Sequence, residues 1–158
     1  MSFHQTIIER LRSHAAEIHS LTDGLTEEQL KQRPSEQRWS LHEIVMHLCE
    51  GQDVFIERMA RMLTEDKPVL VTFQPDEAKQ KGLHLSADFK KRFKEFEVQR
   101  ATLASLLQTL TEKQWKLEGA HPEMKRYTIE KAMESLMRHE ESHLYQMHNV
   151  FCGIREER

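Results

Sequence analysis

The stretch Thr128 to Cys152, TIEKAMESLMRHEESHLYQMHNVFC, decides the reading of this chain. Ala132, Leu136, Met147 and Val150 recur at helical spacing, and His139 and His143 fall on the same side. On a helix, positions i and i+4 lie one above the other. The two imidazoles therefore point toward a core, where polar groups need partners. Two readings follow. Each ring can hydrogen-bond to a neighbouring helix, or the pair can grip one divalent ion.

Working outward, three more long helical segments emerge. The first runs from about Ser2 to Leu21, with Phe3, Ile7, Leu11, Ala15 and Ile18 on one face, Ser2 as cap and Asp23-Gly24 as stop. His14 is read as facing the interior, and His4 and His19 as surface residues. The second starts at Trp39-Ser40, where Ser40 and Glu43 form a capping box, and continues to about Leu63. His47 sits at the edge of its apolar stripe. Gly51, one turn on, marks close approach or open space, because mid-helix Gly costs about 1 kcal/mol relative to Ala. The third spans Ser86 to Thr109 with Phe89, Phe93, Phe96, Leu103 and Leu107, and Ser86 as its expected cap. Thr64 to Leu85, with Pro68, Pro75 and Gly82, reads as an extended connection in which Val69 to Phe73 packs without a strand partner. Glu118 to Arg126 reads as a loop.

An internal repeat supports two similar hairpins. Ser20 to Leu30 and Ser105 to Trp115 agree at six of eleven positions, and each precedes an aromatic-plus-hydroxyl helix start, Trp39-Ser40 or Tyr127-Thr128. The expected fold is all-α: one domain over 1–158, a four-helix bundle with an up-down-down-up path and a long crossover between the second and third helices. In that path the second and fourth helices are antiparallel. His47 is then about 10 Å from the start of its helix and His143 about 13 Å from the end of its own, which puts them at similar levels. Three histidines would meet, leaving one coordination position for water or substrate.

Bulk composition narrows the classes. The chain has 158 residues, 31% charged and 38% apolar, with a net charge of −3, so no basic face for nucleic acid is expected. No apolar run is long enough for a membrane span and no signal peptide is visible, so a cytoplasmic location is expected. Two cysteines, Cys49 and Cys152, need not pair. Ten histidines are many for this length.

Trp39-Ser40 followed by Glu43-Ile44 and His47-Leu48, with His139, His143 and Gln146 near the C-terminus, resembles the DinB/YfiT-like superfamily. The resemblance covers nearly the whole chain. It implies a four-helix bundle, often a homodimer, with a divalent metal held by His47, His139 and His143. Imidazole ligands suit zinc, nickel, copper and iron alike, and zinc or nickel is the expected ion. It also implies a small-molecule substrate. Some members are read as metal-dependent hydrolases, and others transfer or isomerise with low-molecular-weight thiol cosubstrates such as bacillithiol or mycothiol. The alternative is a non-catalytic binding or dimerisation module with a structural or vestigial metal site.

His139-Glu140-Glu141-Ser142-His143 also satisfies H-E-x-x-H, in which the Glu is a protease's general base. The downstream third ligand is missing, since Gln146 and Asn149 stand where the extended motif wants Gly and His. Glu140 also projects about 100° away from His139, toward solvent or another helix. A zincin protease is therefore set aside. Glu43, Glu50 and Gln146 are candidates to orient imidazoles. Cys49 is read as a packed thiol, and His42, His84, His121 and His148 as surface residues.

Overall fold

The computed structural model describes residues 1–70, 72, 73 and 77–156, with 77–81 as backbone. Val71 and Pro75 of the connection lie outside the described residues. Four long helices make the bundle: α1 (Phe3–Thr22), α3 (Leu41–Thr64), α5 (Phe89–Thr109) and α7 (Ile129–Glu156). Short helices α2 (Glu27–Lys31) and α6 (Glu112–Trp115) follow α1 and α5. Capping boxes start α1 (Ser2/Gln5), α2 (Thr26/Gln29), α3 (Ser40/Glu43) and α6 (Thr111/Gln114). In each, a hydroxyl and a carboxyl or amide satisfy backbone N–H groups that have no intrahelical acceptor. The two copies of the internal repeat thus fold alike, as the end of a long helix and the short helix after it.

The path is up-down-down-up. α1 and α7 run parallel, linked along their length by His4 to Glu130, Arg10 to Glu141 and His148 to Glu17. α3 and α5 are also parallel, with Gln52 donating to the Phe96 carbonyl at 3.1 Å and Gln99 to Asp53 at 3.1 Å. α7 packs antiparallel on α3, and α5 antiparallel on α1. Because α3 and α5 are consecutive bundle helices yet parallel, the chain must return the length of the bundle between them.

That return is more structured than expected. Residues Glu77–Ser86 form helix α4, packed on α3. Its sequence carries little apolar periodicity, so the pattern did not reveal it. Ser86 consequently ends α4, and Asp88 caps α5 by accepting from the Lys91 N–H at 3.1 Å. The expected loop at Glu118 to Arg126 is a hairpin, β1 (Glu118–His121) and β2 (Met124–Thr128). Val69 also has a partner after all: it bridges Ala120, with the Leu70 N–H donating to the Ala120 carbonyl at 2.9 Å. At Gly119 an added Cβ would lie 2.6 Å from Leu70 Cδ1, so glycine lets the hairpin close on the crossover.

Two apolar clusters fill the bundle. One gathers Ile7, Leu11, Met62, Leu107, Trp115 and Leu136, and the other Ile18, Ile44, Leu48, Phe96, Leu144 and Met147. Between them lies a polar layer. Arg100 from α5 donates to both carboxylate oxygens of Glu140 on α7, to Gln52 Oε1 on α3 at 2.7 Å and to the Leu11 carbonyl on α1 at 2.5 Å. His14 Nδ1 donates to Glu140 at 3.0 Å. One guanidinium therefore ties all four helices together, and a buried charge is tolerable only with such full pairing. Among the described residues no helix is long and apolar enough to cross a membrane.

Candidate metal centre

His47 on α3 and His139 and His143 on α7 converge at one face of the α3–α7 groove, level with the Arg100 layer. Their Nε2 atoms face one another: His47 to His139 is 3.0 Å and His143 to His139 is 3.1 Å. One ligand atom from each residue lies within 4.8 Å of the other two, and among the described residues no further His, Cys, Asp or Glu joins the group. Gly51 lies against this cluster: an added Cβ would sit 3.5 Å from His139 Cε1, ordinary van der Waals contact, so the ring is a neighbour of the glycine without requiring it.

Electrostatics set the protonation state. Burial, then the nearby His143, His139 and His84, pushes His47 down to about 3. Burial and then His143 push His139 down to about 4. Burial also lowers His143, against a hydrogen bond to Gln146 that favours the charged form. Near neutral pH all three rings are uncharged, which is the ligating form. His143 Nδ1 donates to Gln146 Oε1 at 2.9 Å, which leaves its Nε2 lone pair free to face the centre. Gln146 is thus the orienting residue that the sequence offered. Glu43 is not: it caps α3 through Ser40 and pairs with Arg33. Glu50 contacts His84 and none of the three ligand candidates directly.

A divalent ion fits this donor set. Nitrogens about 2.0–2.1 Å from a tetrahedral ion stand about 3.3 Å apart, a few tenths of an ångström from the spacing found here. Among the described residues His47 Nδ1 and His139 Nδ1 are buried with no hydrogen-bond partner, whereas His143 has its orientation fixed from behind by Gln146.

Trp39 walls the site, edge-on to His47 at 5.1 Å between ring centroids and stacked over His143 at 6.4 Å. Phe73 of the crossover stands 6.4 Å from His47 and also lines a small cavity of about 170 Å³ with Val54, Arg58 and Leu70. A larger cavity, about 930 Å³, lies between α2 and the start of α5; its rim mixes Lys31 and Lys94 with Asp23 and Glu97. No converging donor set appears there.

The structure relocates several residues. His42 and His84, expected at the surface, are buried at 1% and 2% exposure. His42 Nε2 donates to the His84 carbonyl at 2.8 Å, and His84 stands 6.5 Å from His47. Both errors follow from missing α4, which covers them. His14 is interior as expected; His19 and His148 are exposed and paired with Glu97 and Glu17. His4, read as a surface residue, is largely covered and stacks on Trp115 at 4.2 Å. His121 leans on Tyr127. Cys49 is fully buried, as a packed thiol should be. Glu140 points into the polar layer and away from the imidazole cluster, which removes it as a protease base.

The fold and sequence have known counterparts. The uncharacterized protein YuaE of Bacillus subtilis is 27% identical over 140 residues, covering 80% of this chain and 86% of YuaE. YfiT of Bacillus subtilis, described as a probable metal-dependent hydrolase with an unusual four-helix bundle topology, superposes with a TM-score of 0.80 at 21% identity. That match covers 95% of this chain and 87% of YfiT. A conserved protein of Enterococcus faecalis superposes with a TM-score of 0.72 at 13% identity, over 96% of both chains. The family model of the DinB superfamily matches residues 10–147, and the chain belongs to that superfamily.

Proposed function

We propose that this protein is a metal-dependent hydrolase in which His47, His139 and His143 hold one divalent ion through their Nε2 atoms. The observation that carries the reading is the convergence of three uncharged imidazoles, one buried and two half-buried, with no fourth protein ligand among the described residues. The description of YfiT as a probable metal-dependent hydrolase supports the same reading. Three protein ligands are the pattern of a catalytic site, whereas structural sites close with four. When bound, the ion supplies Lewis acidity at its open position. The chain's own residues then orient and exclude. Gln146 fixes the His143 ring, Trp39 shields the imidazoles from bulk water, and Phe73 gives a small substrate an apolar surface beside His47.

Transfer to a low-molecular-weight thiol is the second reading. Imidazole ligands suit zinc and nickel alike, and such ions accept thiolate readily. A non-catalytic bundle with a structural ion is the third.

Elemental analysis of untagged protein tests the site, alongside His47→Ala, His139→Ala and His143→Ala. The expected result is about one zinc or nickel per chain, lost in each variant. Parallel assays with an activated ester and with bacillithiol plus an electrophile then separate hydrolysis from thiol transfer. No metal in the native protein, and none taken up from added zinc or nickel, would overturn the reading.

A further inference from the structure

One ionisable pair beside the three imidazoles has no part in holding an ion. His84 on α4 stands with its ring centroid 6.5 Å from His47 and 6.0 Å from Trp39, edge-on to both. Its Nε2 lies 3.1 Å from Glu50 Oε2. Glu50 is on α3, one turn from His47 and next to Gly51, so it borders the same space. The pair is built in from behind as well. His42 is buried on α3 and its Nε2 grips the His84 carbonyl at 2.8 Å, which anchors α4 at this residue. Both ring nitrogens of His84 are buried with no hydrogen-bond partner among the described residues, so Nε2 meets Glu50 at ion-pair distance without an aligned hydrogen bond.

An imidazole placed only to fill volume needs no carboxylate beside it. A ring with one nitrogen at ion-pair distance from a carboxylate, neither nitrogen hydrogen-bonded among the described residues and a candidate Lewis-acid site one ring away has the parts of a general base. We infer that His84, positioned by Glu50, is the proton-transfer residue of the three-histidine site. This rests on the hydrolytic reading above. For an ester, the O–H bond of the attacking water breaks and its proton passes to a ring-nitrogen lone pair of His84. The water oxygen bonds to the carbonyl carbon. The bond from that carbon to the alkoxide then breaks, and the alkoxide takes the proton from His84. Acid and alcohol leave, His84 returns to its starting state, and no oxidant or reductant is needed.

The test uses the zinc-loaded full chain and acetohydroxamic acid, which would bind zinc through its two oxygens as its O–H proton passes to a nearby base, here His84. Two quantities are measured for the native protein, His84→Phe and Glu50→Gln: zinc affinity by chelator competition, and acetohydroxamate Kd by calorimetry. Phenylalanine keeps the aromatic packing and removes only the nitrogens. Both variants are expected to keep zinc affinity within about threefold, since neither residue is a ligand. Acetohydroxamate binding is expected to weaken about tenfold or more in His84→Phe, the scale of one lost hydrogen bond to a charged group. The expected loss in Glu50→Gln, which leaves the imidazole in place, is about threefold. Unchanged acetohydroxamate affinity in zinc-loaded His84→Phe would overturn the inference and leave the metal site standing. Loss of zinc from His84→Phe would also overturn it, by making His84 a metal-holding group. Failure of the native protein to take up zinc is a separate result, and it removes the site together with this role.

Discussion

Arg100→Met is the substitution that the fold predicts most sharply. Arg100 is 2% exposed and Glu140 fully buried. The guanidinium supplies Glu140 with two of its three described side-chain contacts, the third being His14. Methionine fills much of the volume but leaves the carboxylate with one partner, strands Gln52 Oε1 and removes the extra donor to the Leu11 carbonyl. Breaking one side of a buried ion pair costs about 3–5 kcal/mol. At about 2–4 °C per kcal/mol for a domain of this size, Tm should fall by about 10 °C. Glu140→Gln should cost a similar amount, because Arg100 then becomes the unpaired charge. The double variant Arg100→Met/Glu140→Leu should recover a large part of the loss, since neither charge remains. Urea unfolding at pH 7, with the slope checked for constancy, measures all three. Single-variant losses below about 1 kcal/mol would refute the reasoning, because they would mean that the pair is solvated and does not clamp the bundle.

Three further expectations follow from the same structure. The metal-free protein should lose stability below pH 6.5. His47 and His139 titrate near 3 and 4 when folded against an ordinary 6.5, so the unfolded chain binds more protons as pH falls. The loss should be about 2 kcal/mol per histidine by pH 5, and an unfolding midpoint that stays flat between pH 7 and 5 would contradict it. Gly119→Ala should cost about 1–3 kcal/mol by forcing the hairpin off Leu70 and Met62, read as a lower thermal midpoint. A thiol reagent should modify one cysteine per native chain and two after unfolding. Cys152 is exposed, whereas burial pushes the Cys49 thiol up to about 12, and modification of both at equal rates would show otherwise.

Much of the bundle could be read from the chain because its four long helices are separately amphipathic and carry hydroxyl caps. The relation of α3 to α7 followed from the repeat, and with it the meeting of His47, His139 and His143. What stayed hidden depends on tertiary context. α4 is polar along most of its length and is helical because α3 lies beneath it. His42 and His84 are buried for the same reason, so the carboxylate–imidazole pair beside the site was invisible from spacing. The hairpin has no Asn-Gly or Asp-Gly turn signal, and Gly119 is explained only by Leu70 pressing on it. Trp39 was visible as a helix-start aromatic, but its contact with two imidazoles was not.

Because α3 and α5 are parallel, the connection between them returns along the bundle, and its described residues Phe73 and His84 stand beside the imidazoles. The roof of the site is therefore one contiguous cassette, while the three ligand candidates sit on the rigid staves beneath it. Exchanging that cassette for another of similar length would alter what the site accepts without disturbing where an ion is held. Loop-closure entropy grows only slowly with length, so longer or shorter roofs would cost the bundle little. Selection on substrate and selection on fold then act on separate segments of one chain, which suits a scaffold that diversifies its chemistry by splicing at a single place.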